Sequence, residues 1–380
     1  MAAIVPALGS IVIAFQVDYV MAQFVISAYL FGLGFTQPVA GLLCDRLGRR
    51  PVMLSGIALF FLASIGCALA PNLSLLIFLR CLQAVGISVA TVATRAIIRD
   101  THDAEGAVRA IAKVAAAMGL APAVAPVLGG FIGARFGYEG IFWLVALLAL
   151  GTLGFAWRDL GETGTATRAP VNWRVLGRSW ATLLGSPPFM AFTLIYGLLQ
   201  GSFFAFIAVG ATVFEEQLGL GQQAFGLIWG LLALGYVAGA VAAGRLVRRT
   251  GSYPLLRFGV LVTVATGWLM AMLVAVFGVT LLSLLGPLVI LIAANGLVTP
   301  LAMAGAVNAQ PQMAGTGAGL SSSLALLLSG VCSVVSGFIF SGSFTPIALL
   351  IAIAGTLSLL LMPLTRGVGK GDSGSEFIQE

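Results

Sequence analysis

The sequence predicts an all-α membrane protein of two six-helix bundles, and three observations carry that prediction. Hydrophobic residues make up 59% of the 380 and charged residues only 8%, where a soluble globular domain carries about 25% charged. Apolar runs of roughly 20 residues, enough to cross the hydrocarbon core of a bilayer, follow one another almost end to end. A polar hairpin in the first half also recurs in the second half, displaced by 203 residues.

Taken in order, hydropathy over a window of about 19 residues predicts eleven full spans. They lie at approximately 20–43, 52–70, 73–96, 107–134, 140–157, 187–212, 224–244, 255–277, 279–304, 313–341 and 344–364. A twelfth run, 3–15, reaches only about 20 Å at 1.5 Å per residue and reads as a first helix that has lost its beginning. It lacks the basic leader and cleavage site of a signal peptide. The 49 glycines and 15 prolines suit membrane helices, where small residues allow close approach and neighbours satisfy freed backbone groups.

The domain boundaries follow from polarity. Residues 1–157 form an N-terminal six-helix bundle, 158–186 a polar linker, 187–366 a C-terminal bundle, and 367–380 a tail expected to be disordered. The repeated hairpin relates the bundles: Gly41, Gly48 and Pro51 recur as Gly244, Gly251 and Pro254, with Arg248 where the first copy has Asp45. If the Asp45–Arg50 turn is cytoplasmic, alternation puts 17 of the 19 lysines and arginines on or near that side. Asp18, Glu139, Glu215 and Glu216 collect on the other. This is the positive-inside asymmetry, and it places the C-terminus in the cytoplasm.

The same features exclude other classes. The formal charge of +6 sits in short clusters between apolar runs, without the basic face a nucleic-acid binder presents. Cys44, Cys67, Cys81 and Cys332 lie in or beside apolar runs without ligand spacing and read as reduced packing residues. The single histidine, His102, cannot make a metal site. No nucleophile–base pair suggests an enzyme, and no cofactor is expected.

Motifs then point to a mechanism. Gly41-Leu42-Leu43-Cys44-Asp45-Arg46-Leu47-Gly48-Arg49-Arg50-Pro51 matches, at every defining position, the G-x-x-x-D-R-x-G-R-R loop of the major facilitator superfamily. The fourth span, with Leu76, Arg80, Gln83 and Gly86, is similar to that superfamily's L-x-x-x-R-x-x-Q-G-x-G pattern, Ala84 replacing the first glycine. The fifth span, with Gly119, Pro122, Pro126, Gly129 and Gly130, resembles the superfamily's exporter motif. Three further segments, Arg95–Asp100, Arg245–Gly251 and Met313–Ala318, make the whole chain from Pro6 onward resemble the Bcr/CflA group of drug-resistance exporters.

The resemblance implies a major facilitator fold of two six-helix bundles in a bacterial inner membrane, acting as a monomer on small, often amphipathic drugs. It implies a cytoplasmic gate of Gly41, Asp45, Arg46, Gly48, Arg49 and Arg50, whose arginines pair with carboxylates such as Asp100. It implies that Arg80, with Gln83, faces the cavity and tunes a proton-carrying carboxylate, so that a proton gradient drives export. The exporter-motif residues Pro122, Pro126, Gly129 and Gly130 would form a kinked, smooth helix between the bundles. Relatives place an acid in helix one where this chain has Met1 or Ala2; a short upstream extension holding Asp or Glu would restore it. Substrate-cavity candidates are Tyr29, Phe31, Gln37, Tyr196, Gln200, Phe203, Phe204, Phe206 and Asn295, a set suited to neutral or weakly cationic amphipaths. The alternatives are a metabolite or amino-acid exporter, an uncoupled facilitator, and a non-transporting family member or sensor.

Overall fold

The computed structural model describes residues 1–163, 173–340 and 342–366. The predicted tail 367–380 and the middle of the linker lie outside the described residues. A 3-10 turn, Ala2–Ala7, leads into α1 (Leu8–Phe15), α2 (Tyr19–Leu47), α3 (Arg49–Ala68), α4 (Leu73–Thr101) and α5 (Ala104–Asp159). After the linker helix α6 (Trp173–Leu184) come α7 (Pro187–Thr212), α8 (Gln222–Thr250), α9 (Ser252–Phe277), α10 (Leu281–Asn308), α11 (Ala314–Ile339) and α12 (Thr345–Leu361). Among the described residues there is no strand, as the hydrocarbon demands of a chain that must satisfy its own backbone.

Among the described residues ten helices are long and apolar enough to cross a membrane, and α5 supplies two crossings. Gly137 stands inside α5 at φ 69° and ψ −175°, outside helical geometry. The 56 residues of α5 would extend about 84 Å if straight. Yet α5 starts just beyond Asp100, which pairs with Arg49, and the carbonyls of Trp157 and Leu160 at its other end accept from Arg50. Both ends therefore meet the α2–α3 hairpin, so the helix doubles back at Gly137. That break falls in the gap predicted between the spans 107–134 and 140–157. With the short apolar helix Ala2–Phe15 standing for the first, the predicted eleven full spans and one short run are all accounted for.

The helices sort into two bundles. In the first, α4 packs on α2 and α3, and α3 also packs on α5; in the second, α7 packs on α11, α10 on α8 and α9, and α12 on α9 and α7. Two seams join them, α2 against α11 and α5 against α8. Outward-facing residues such as Leu147, Phe155, Leu282 and Leu360 are largely exposed. Such a surface would drive association in water; lipid is its proper solvent.

Part of the segment read as linker is helical. In α6, Trp173, Leu176, Trp180 and Leu183 recur at helical spacing. Leu183 is fully buried, while Arg174 and Arg178 are exposed. Its apolar face turns to the protein, with Leu183 and Trp180 packed on the second bundle and Leu176 lining the gap between the bundles.

Candidate functional site

The two seams differ along their length, and that difference shapes the site. Between α5 and α8, backbone meets backbone. A Cβ added at Gly226 would stand 2.5 Å from the Pro126 carbonyl oxygen, one at Gly130 2.6 Å from that of Gln222, and one at Gly230 2.8 Å from that of Ala123. Gly129 is pressed closer still, against the carbonyl of Ala3. Pro126, Gly129 and Gly130 are all buried; the side chain of Pro122 lies outside the described residues.

Between α2 and α11 the contact is polar and one-sided. Ser27 Oγ donates to Ser333 Oγ at 3.1 Å, and Phe24 meets Phe338 edge-on with centroids 6.4 Å apart. Ser323 Oγ donates to the Gly34 carbonyl at 2.5 Å. Toward the arginine-rich end the helices part around a cavity of ≈ 490 Å³. Gln37, Gly41 and Cys44 of α2, Val92, Arg95 and Ala96 of α4, Leu176 and Trp180 of α6, and Gly315, Thr316, Gly319 and Ser322 of α11 are among its lining residues. The bundles thus touch at one end and stand open at the other.

At the mouth, the α2–α3 hairpin turns through Gly48 at φ 92° and ψ 157°, backbone that a side chain rarely tolerates. Arg49 Nε donates to Asp100 Oδ2 at 2.9 Å and its Nη1 to the Cys44 carbonyl at 3.1 Å. Arg50 Nε donates to the Leu160 carbonyl at 2.6 Å and its Nη2 to that of Trp157 at 3.1 Å, with the guanidinium 5.6 Å from the Trp157 ring centroid. The arginines therefore close the carbonyl ends of two helices, where cations are favoured. Glu162 does the reverse: its carboxylate accepts from the backbone N–H of Arg49 at 2.9 Å and of Arg50 at 3.3 Å, capping α3. Sequence reading assigned Glu162 no part, because nothing local marks a partner over a hundred residues away. Arg46 is exposed, and the side chain of Asp45 lies outside the described residues. Gly41 looks across the cavity toward Gly315 and Thr316 at the start of α11.

A second polar node lies inside the first bundle. Arg80, 2% exposed, lies over the Tyr29 ring at 4.2 Å, a favourable cation–π geometry. Its Nε donates to the Val25 carbonyl at 3.2 Å and its Nη1 to Gln83 Oε1. Gln83 Nε2 in turn donates to Ser64 Oγ at 2.7 Å. Nη2 has no partner among the described residues and borders a void of ≈ 20 Å³ shared with Tyr29, Phe60 and Phe142. Arg80 is thus held inward, away from the headgroups, and Tyr29 belongs to its setting.

The remaining candidates distribute unevenly. Gln37 lines the large cavity. Phe203 packs against Phe204, Trp229 and Tyr236, and buried Phe206 stacks on Trp229, an aromatic layer within the second bundle. Phe31 stacks on Phe35 and abuts Gly330, in the α2–α11 seam. Tyr196 is buried in the core of the second bundle. Gln200 leaves its carbonyl oxygen without a partner among the described residues. Asn295 donates to the Leu199 carbonyl at 2.7 Å and accepts from Thr299 at 2.8 Å, tying α10 to α7.

Eleven full spans and one short run, in two bundles around a one-sided gap, define a membrane transporter. The Major Facilitator Superfamily profile matches residues 1–331, and the chain belongs to that family. It is 33% identical over 253 residues to the chloramphenicol resistance protein of Pseudomonas aeruginosa, covering 66% of this chain and 59% of that relative. It is 28% identical over 358 residues to multidrug resistance protein D of Escherichia coli (strain K12), covering 94% of this chain and 89% of that relative. Among solved structures, a D-xylose-proton symporter superposes with a TM-score of 0.75 at 16% identity, covering 96% of this chain and 95% of that one. That likeness shows the fold.

Proposed function

We propose that this chain exports small amphipathic drugs from a bacterial cytoplasm, driven by the proton gradient, with its arginine-rich face inward. The observation that carries the reading is the ≈ 490 Å³ cavity between the bundles, opening on the arginine-rich side, as an alternating-access carrier requires of its loading state. The names of the two drug-resistance relatives support drugs over sugars, and the close α5–α8 seam offers a pivot. The hairpin of Gly41, Asp45, Gly48 and Arg49 acts as a latch on the opposite, outward-facing state. Everted membrane vesicles test this. Expression should drive uptake of labelled chloramphenicol, and collapsing the proton gradient should abolish it. Uptake equal to that of control vesicles removes the export reading, and uptake that survives collapse removes the coupling.

A second reading, an uncoupled facilitator, is favoured by the placement of the acids. No carboxylate lies in the interior of a span: Glu139 sits by the Gly137 turn, and Glu215 and Glu216 at the outer end of their span. An embedded carboxylate is the usual proton carrier. The gradient-collapse arm separates the two readings.

A further inference from the structure

Arg95 lies three residues inside the end of its span, Leu73–Ile98, and its side chain is exposed to the cavity between the bundles. Among the described residues that line the cavity it is the charged one. Its companions are Gln37, Trp180, Thr316 and Ser322, with the small Gly315 and Gly319 leaving room on the far wall. The second bundle cannot neutralise it from its own stock, since no Asp or Glu occurs from Gln217 to Arg366. A purely topogenic arginine would serve equally from any loop position; this one lines the gap together with Gly315 and Thr316 of the second bundle.

We propose that Arg95 sets the substrate class of this cavity: neutral or anionic amphipaths carrying a hydrogen-bond acceptor bind, and lipophilic cations are turned away. The proposal rests on the export reading above and deepens it. A fixed cation in a cleft with low-dielectric walls focuses its field on whatever enters. The guanidinium fork matches the paired oxygens of a carboxylate, nitro or phosphate group. Trp180 offers an aromatic face to the apolar part of the same ligand. A cation entering the cavity would meet like charge, and among the described residues that line it none is a carboxylate to offset it.

Equilibrium binding to the full chain in lipid nanodiscs tests this without requiring transport. The probes are chloramphenicol as a neutral nitroaromatic, fluorescein as an anion and tetraphenylphosphonium as a cation. The wild type should bind the first two at least about tenfold more tightly than the third, a difference easily resolved. Arg95→Lys should keep that order, Arg95→Gln should weaken the anion by about tenfold, and Arg95→Glu should reverse anion and cation. Tetraphenylphosphonium binding to the wild type as tightly as the others would overturn the proposal. So would an unchanged order in Arg95→Glu, or no binding of any probe by monodisperse protein. The expected binding order without uptake in vesicles would uphold Arg95 as the selector while removing the export reading.

Discussion

The α2–α3 and α8–α9 hairpins share a backbone and differ in everything electrostatic. Gly48 stands at φ 92° and ψ 157°, and Gly251 at φ 78° and ψ 162°, so the duplicated turn has kept its geometry. Around the first, Arg49, Arg50, Asp100 and Glu162 form a closed set of hydrogen bonds. Around the second stand exposed Arg245, Arg248 and Arg249, in a bundle whose two acids, Glu215 and Glu216, lie at the other end. Turn geometry is dictated by glycine and is conserved cheaply between copies; charge partners come from elsewhere in the fold and diverge. The first hairpin is consequently wired to the start of the linker, and the second, among the described residues, is an exposed basic edge.

Adding a side chain to each glycine probes this difference most strongly. Gly48→Ala and Gly251→Ala both force a residue into backbone that only glycine adopts readily, at about 1–3 kcal/mol each. At Gly48 the new Cβ would also stand 2.7 Å from Glu162 Oε2, whereas at Gly251 the nearest atom, Pro254 Cδ, is 3.7 Å away. Gly48→Ala should therefore lower the unfolding temperature in detergent by clearly more than Gly251→Ala. Equal shifts would mean that Glu162 does not hold the first turn.

Much of this was readable from residues alone. The spans were legible because lipid imposes length and composition, and the paired hairpins because glycine and proline mark turns locally. What depends on which helix faces which was not legible. Tyr29 shares a helix with Gln37, and both looked like cavity residues; the structure seats Tyr29 beneath Arg80 and gives only Gln37 to the cavity. Arg95 was indistinguishable from its topogenic neighbours until α11 and α6 were placed opposite it. The α6 helix is hidden by the Gly, Thr and Pro residues that precede it, and the tie that Asn295, a cavity candidate, makes between helices is hidden because its partner, the Leu199 carbonyl, lies on another helix.

Removing a charge on each hairpin sharpens the contrast at smaller scale. Glu162→Gln weakens a cap on α3 and should destabilise the protein by about 0.5–1 kcal/mol, the low end for a cap because the site is exposed. Arg248→Gln, with no acid in its own bundle at that face, should fall within about 0.5 kcal/mol of the wild type. Thermal unfolding of both variants checks this, and a larger loss from Arg248→Gln would show that the second hairpin is wired after all.

Asp100→Asn is also expected to change stability little, and it separates fastening from gating. The Arg49–Asp100 pair is mostly shielded, with side chains 12% and 21% exposed, but it lies at the rim, where such pairs contribute about 0.2–1 kcal/mol. Arg49 would keep its bond to the Cys44 carbonyl, so the turn itself should survive. Asp100 holds Arg49 in this inward-open state, and Arg49 belongs to the hairpin proposed to latch the outward-facing one, so freeing it should shift the balance between the two; about 1.4 kcal/mol moves a two-state balance tenfold. Asp100→Asn should thus change the vesicle transport rate several-fold while leaving the unfolding temperature almost in place. A variant that unfolds earlier in proportion to its loss of transport would make the pair a structural clamp and shift the gating role away from this hairpin.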